Sequence, residues 1–289
     1  MKLSLIQSLC VIAPLLVIDS LFVYSLHHAE RILNLKKLND CADSVIYTVS
    51  QSFEAGGNSL KKIYMNRYVN DFILETQFDG PLDYYQRYFD FTKKTMYDIS
   101  GNTMNVVIYA DNPSIFSGGM FRRSEQQENQ SWYEQCLEKR DNVIVGFEYA
   151  KQSWELRRYV FLAHAMDYYH KGQGKSVIRL DIDYSRLRQD IMNAKYESTL
   201  YICTDGKILF SNEPKGGVNA DFKNLTANII DGAAVKRTFS VYQKNFELYV
   251  MPIKKNGMEL LKNNIVLLLF IVFINIFLPL MIMHAMLEA

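Results

Sequence analysis

GKSVIRLDIDYSRLRQDI, residues 174–191, changes its period part-way along. Lys175 to Ile182 alternates like a strand, with β-branched residues in the run. From Tyr184 onward, Leu187 and Ile191 lie one turn apart, so a helix is predicted from Tyr184 to Ala194. Asp181 and Asp183 close the strand as an i, i+2 pair pointing the same way. Such a pair can bind a cation or cap the next helix. Upstream, Arg158 to Met166 reads as a strand facing this one across the hairpin turn Lys171-Gly172-Gln173-Gly174. Downstream, LYICTDGKILFSN (residues 200–212) reads as two strands, Leu200 to Cys203 and Ile208 to Phe210, turning at Asp205-Gly206. A helix from Ala220 to Asp231 and a hairpin of Val235 to Tyr242 with Phe246 to Pro252 complete a second, smaller sheet.

Strand patterns at Met104 to Ala110, Ser114 to Ser117 (turned by Gly118-Gly119) and Val143 to Tyr149 extend the first sheet, with a helix at Ser131 to Glu138. Two helical stretches precede them. Leu60, Ile63, Tyr64, Arg67, Tyr68 and Phe72 keep helical spacing. After the turn Asp79-Gly80-Pro81, Leu82, Tyr85, Tyr88, Phe89 and Thr92 carry a helix to about Tyr97. Helices, a sheet, a linking helix and a second sheet make the fold class α+β.

Two apolar spans bracket this polar middle. The first runs from about Leu3 to Leu26, the second from Ile265 to Met283, interrupted only by Asn275 and Pro279. Roughly 18 or more apolar residues suffice to cross the hydrocarbon core. The first span lacks a small-x-small cleavage site, and its apolar run exceeds a signal-peptide core, so it reads as an uncleaved signal anchor. Asp19 is costly at a bilayer centre, so it lies near an end or faces a partner helix. Lys2 favours a cytoplasmic start; Arg31, Lys36, Lys37, Lys254, Lys255 and Lys262 favour the opposite, but long loops translocate largely regardless of charge. Between span and domain, Leu35, Leu38, Ala42, Val45 and Val49 repeat at 3-4-3-4, a heptad seam ended by Gly56-Gly57-Asn58. The seam serves either a dimer stalk or a helix packed on its own domain. The expected organisation is a membrane helix over 3–27, a stalk helix over 28–56, a membrane-distal subdomain over 57–194, a membrane-proximal subdomain over 195–258 and a second membrane helix over 260–287.

Charge is balanced, with 32 Lys+Arg against 31 Asp+Glu, which gives no electrostatic basis for nucleic-acid binding. Cys10 lies in the first span; Cys41, Cys136 and Cys203 are far apart and odd in number, so three unpaired thiols are expected, with one bridge plus a free thiol as the alternative. No HExxH, GxSxG or CxxC is present, so zinc-protease, hydrolase and thiol-redox readings lack their starting motif. Gly174-Lys175-Ser176 ends like a P-loop, but Tyr169 stands where the first glycine belongs and a strand follows instead of a helix. No catalytic residue, metal or cofactor is expected.

WYEQCLEKRDNVIVGFEYA (132–150), GKSVIRLDIDYSRLRQDI (174–191), LYICTDGKILFSN (200–212) and the long first helix together resemble the sensor half of a YesM-type bacterial sensor histidine kinase, with a double Cache (PAS-like) extracytoplasmic region. The resemblance implies a homodimeric receptor of the bacterial cell membrane. Its central domain would sense an extracytoplasmic small molecule, directly or through a solute-binding protein, and signal through its membrane helices to a HAMP and histidine kinase module. No such module lies within this chain, so the resemblance further implies a fragment or a separate partner. The rival reading is a membrane-anchored protein-binding or assembly module without signalling.

The resemblance also points to a site. Cache pockets that bind amino acids carry an Arg two residues before a Trp-Tyr pair, then a Tyr and an Asp on the next strand. Here Trp132, Tyr133 and Tyr149 are in place, but Gln130 replaces the Arg and Lys151 the Asp. Both charge anchors for an amino acid are lost, and a sugar or another neutral or anionic molecule is expected instead. Trp132 would stack on it, Lys151 or Arg123 would contact an oxygen, and Asp181 would accept a peripheral hydrogen bond. Trp132 can equally serve as core alone.

Overall fold

The computed structural model describes residues 2–74, 78–100, 105–152, 155–169, 172, 174–193, 198–213 and 223–252, with isolated positions between 269 and 284; the side chains at 149–152 and 155–158 lie outside the description. The chain divides into two compact units, Cys41–Val250 and a second made of Met1–Asp40 with Met251–Ala289.

In the second unit, the Asn275 side-chain amide donates to the Asp19 carboxylate, so the two apolar stretches meet at their polar residues. Among the described residues, no helix is long and apolar enough to cross a membrane. Of the stretch 265–283, only 269, 271, 273–277, 280 and 281 are described.

The larger unit begins within α1 (Lys2–Tyr64) and continues through α2 (Arg67–Leu74) and α3 (Pro81–Ser100). A five-stranded sheet follows: β1 (Asn105–Ala110), β2 (Phe121–Arg123), β3 (Ile144–Gln152), β4 (Glu155–Ala165) and β5 (Val177–Ile182), in the order β2-β1-β5-β4-β3. Helix α4 (Ser131–Glu138) lies between β2 and β3 in sequence. Helix α5 (Tyr184–Asn193) leads to a four-stranded sheet of β6 (Ser198–Thr204), β7 (Lys207–Ser211), β8 (Val235–Val241) and β9 (Lys244–Pro252), in the order β7-β6-β9-β8, with α6 (Ala227–Gly232) before β8. The pairs β1–β5, β3–β4, β4–β5, β6–β7 and β8–β9 are antiparallel, and β1 with β2 is parallel.

Several expectations are corrected. The helix does not stop at Gly56-Gly57-Asn58; α1 runs through to Tyr64. Each helical glycine costs about 1 kcal/mol against Ala, but these two allow close packing. A Cβ on Gly56 would sit 3.1 Å from Leu162 of β4, and one on Gly57 would meet the hydroxyl of Tyr242 between β8 and β9 at 1.7 Å. Adjacent residues of one helix thus lie against both sheets. The heptad seam is core: Ala42, Val45, Val49 and Phe53 are buried within the chain, Phe53 packs on Phe246 at 5.6 Å, and Cys41 hydrogen-bonds Ser198. The seam therefore packs on its own domain and is no free dimer interface; Leu35, at its start, is exposed. Residues 114–117 form a turn, and the short strand lies later, at Phe121–Arg123. In the predicted helix 220–231, residues 220–222 lie outside the described residues and the helix begins at Ala227.

Candidate ligand-binding site

Strand alternation gives the five-stranded sheet two different faces. On one, Leu162 and Ile182 meet Gly56, and His164 packs its ring 4.4 Å from Tyr64, so this face belongs to α1. The other carries Asn105, Val107 and Tyr109 of β1, Val177, Arg179 and Asp181 of β5, and Tyr159, Phe161 and Ala163 of β4, as the register requires. Helix α4 covers part of it.

Gln130, with extended backbone, precedes α4. The helix buries Trp132, Tyr133 and Cys136 against Tyr109, Phe161, Ala163 and Val177. Trp132 meets Phe161 edge-on at 5.1 Å and Tyr109 at 5.7 Å. The Tyr133 hydroxyl donates to the Lys175 carbonyl, which fastens α4 to the approach of β5. Burial pushes the Tyr133 phenol and the Cys136 thiol up to about 12 each. Gly146 of β3 lies under Phe161; a Cβ there would be 2.1 Å from the ring, so only glycine admits it in this position.

At the middle of this face stands Arg179, which sequence reasoning passed over. Its Nε donates to Asp181 and its Nη1 to Glu148, both at 2.7 Å. The guanidinium lies 3.9 Å from the centroid of the Phe161 ring, 5.6 Å from that of Trp132 and 5.7 Å from that of Tyr159. Burial opposes its charge, but the Asp181 and Glu148 carboxylates outweigh that and hold its pKa above the ordinary arginine value. Asp181 also accepts from the Asn105 amide at 3.1 Å. The indole Nε1 of Trp132 is buried without a hydrogen-bond partner among the described residues. A buried donor left unsatisfied costs about 1–3 kcal/mol. The signal that could have found Arg179 is parity: it alternates with Asp181 in a strand otherwise apolar.

The structure brings Trp132 and Asp181 together through Arg179. Tyr133 turns into the core beside Trp132, with its hydroxyl already used. Arg123 is exposed at the end of the edge strand β2, its backbone N–H bonded to Ser117, and Gln130 is exposed. Tyr149 and Lys151 pair through their backbones with Arg158 and Leu156, and their side chains are not described. Of the two carboxylates singled out at the end of β5, Asp183 caps α5 by accepting from the Arg186 N–H at 2.9 Å. The Tyr184 hydroxyl then donates to the Leu209 carbonyl of β7, so the strand that carries the site is tied within three residues to the second sheet.

Neither a family model nor a curated protein matches the sequence. Solved structures do match the fold. The periplasmic sensory domain of the Campylobacter jejuni chemoreceptor Tlp1 superposes with a TM-score of 0.52 at 13% identity, over 73% of this chain and 92% of that one. The extracellular domain of the putative histidine kinase vpHK1S-Z8 gives 0.51 at 8% identity, over 74% and 93%. The chain shares its fold with these two domains. The ligand-binding domain of the Pseudomonas aeruginosa amino-acid chemoreceptor PctC, in complex with GABA, aligns at 0.49 and 14% identity, over 74% and 97%.

Proposed function

We propose that this chain is the input region of a bacterial membrane receptor. The stretches 3–27 and 260–287 cross the bilayer, and the domain between them binds a small molecule outside the cytoplasm as a double Cache region. Binding on the α4 face of the five-stranded sheet shifts β5, and the capped α5 with the Tyr184–Leu209 bond carries the shift to the second sheet. The membrane helices pass it to a HAMP and kinase module outside this chain, as in the YesM-type kinases the sequence resembles, within a homodimer. The observation that carries this reading is the Trp132 N–H, buried and without a partner among the described residues, beside an ion-paired arginine and the rings of Phe161 and Tyr159. A small-molecule site needs aromatic walls and a few aimed polar groups.

The test is a thermal-shift screen of the full chain in detergent against a metabolite library, repeated with Trp132→Ala. A saturable shift in the parent that the variant loses supports the reading; no shift from any compound refutes it. Topology has its own test. Lys139→Cys, at the exposed residue that follows α4, should react with a membrane-impermeant maleimide in intact cells, and reaction only after lysis would place the domain in the cytoplasm. A second reading, a protein-docking module, draws on Leu82, Tyr85 and Phe89 of α3, which are large, apolar and exposed along one helix face. Loss of receptor output in Tyr85→Ser with small-molecule binding intact would favour it.

A further inference from the structure

We propose that Arg179 occupies the seat a ligand cation would take, so that the site excludes ammonium-bearing ligands and accepts a neutral, hydroxyl-rich one. The inference rests on the reading above that the α4 face of the five-stranded sheet binds the ligand. The seat is defined by two carboxylates and a wall of rings, the surroundings that hold a ligand ammonium. Here they hold a side chain of the protein itself. Arg179 bonds Asp181 and Glu148 at 2.7 Å each and lies on Phe161 at 3.9 Å, with Trp132 and Tyr159 within 6 Å. A ligand ammonium would have to displace the guanidinium from Asp181 and Glu148 to take the same position. The guanidinium is planar, always charged and bonded through two of its nitrogens, so it does not deprotonate to make room.

The groups left over specify what fits. Trp132 Nε1 is a buried donor with no partner among the described residues. Arg179 spends Nε and Nη1 on its carboxylates, and its Nη2 makes no hydrogen bond among the described residues. Glu148 is the more exposed of the two carboxylates and keeps acceptor capacity. Donors and acceptors therefore stand side by side, with aromatic faces between them. A hydroxyl both donates and accepts, so a run of hydroxyls uses such a set fully. The triad of one cation and two anions has a net charge of −1, which disfavours a bare carboxylate ligand. An uncharged sugar or polyol meets all of these conditions.

The experiment is a thermal-shift and calorimetric titration of the full chain in detergent with neutral monosaccharides and polyols, with L-amino acids, and with methylguanidinium. The parent should respond to at least one sugar or polyol and to no amino acid. Arg179→Met should weaken the sugar response about tenfold or more and gain a stabilisation by methylguanidinium that the parent lacks, because the seat is vacated while Asp181 and Glu148 remain. Trp132→Phe keeps a ring and loses the donor, so it should weaken the sugar response without unfolding the chain. Glu148→Gln, at a half-exposed position, serves if Arg179→Met fails to fold; it should weaken sugar binding and leave amino acids excluded. An amino-acid response lost in Trp132→Phe would overturn the inference and leave the receptor reading standing. A panel with no sugar or polyol response overturns the ligand class. Methylguanidinium without effect on folded Arg179→Met overturns the seat. No response here and none from the metabolite library sinks both proposals.

Discussion

The two faces of β5 are made by alternate residues of one six-residue strand, and they do opposite work. Ile178, Leu180 and Ile182 form an apolar surface shared with Leu162 and seated on α1. Val177, Arg179 and Asp181 look the other way, and two of the three are charged. Burying apolar surface is worth about 25 cal/mol per Å² and needs no further explanation. A buried ion pair is weak evidence for stability, because desolvation offsets much of its attraction. The first face explains why the sheet folds; the second is more than folding requires. The four-stranded sheet sharpens the contrast. Its buried side chains include Leu200, Ile202, Phe246, Leu248 and Val250, its charged pair of Lys244 with Asp205 sits at an exposed turn, and it carries no counterpart of Arg179 among the described residues.

The comparison can be broken most severely at Arg179. Arg179→Ala leaves Asp181, a mostly buried carboxylate, without its partner, and should cost about 3–5 kcal/mol in denaturant unfolding. Replacing all three charges, as in Arg179→Met with Asp181→Asn and Glu148→Gln, should recover most of that loss; a triple variant as unstable as Arg179→Ala would mean that this face is structural after all. On the other face, Leu180→Ala should cost about 2–5 kcal/mol through the cavity it opens. Gly146→Ala should cost about 1–3 kcal/mol, since the new methyl displaces Phe161 and with it the aromatic wall under Arg179. Unlike Leu180→Ala, it should also weaken ligand binding.

The smallest effect is at Tyr133, and it depends on pH. Tyr133→Phe removes the hydrogen bond to Lys175 and should cost about 1 kcal/mol near neutrality. The folded-state pKa of Tyr133 is raised to about 12, first by burial. An unfolded tyrosine titrates near 10. The contribution of this phenol is thus complete below pH about 10 and is lost as pH rises toward 12. The stability difference between parent and Tyr133→Phe should shrink across that window. A difference that is flat from neutrality to pH 12 would mean that the hydroxyl is already solvated.

Element type was legible wherever a periodic run was long and bounded by turn residues. Residues 174–212 show both sheets meeting at a linking helix, because period two gives way to period 3.6 and then returns. The glycine pair misled, because propensity argues a helix end while the reason those glycines stand there, close approach to Leu162 and Tyr242, is tertiary. The heptad seam could not distinguish a partner helix from the protein's own sheets, since both want the same apolar spacing. Asp183 as a helix cap was readable locally; the bond from the Lys175 backbone N–H to Asp111, 64 residues away, was not. Arg179 was hidden because a lone charge in a strand reads as solvent-facing. Only the neighbours across β1, β3 and β4 reveal that it is buried.

The most direct test sets the two faces against each other in one titration. A compound that stabilises the parent chain is titrated into Leu180→Ala and into Trp132→Phe, with affinity and unfolding midpoint read together. The account expects Leu180→Ala to lower the midpoint and leave affinity within about twofold, and Trp132→Phe to lower affinity about tenfold or more. The reverse pattern, with affinity lost in Leu180→Ala and kept in Trp132→Phe, would contradict the assignment of the α4 face as the ligand site.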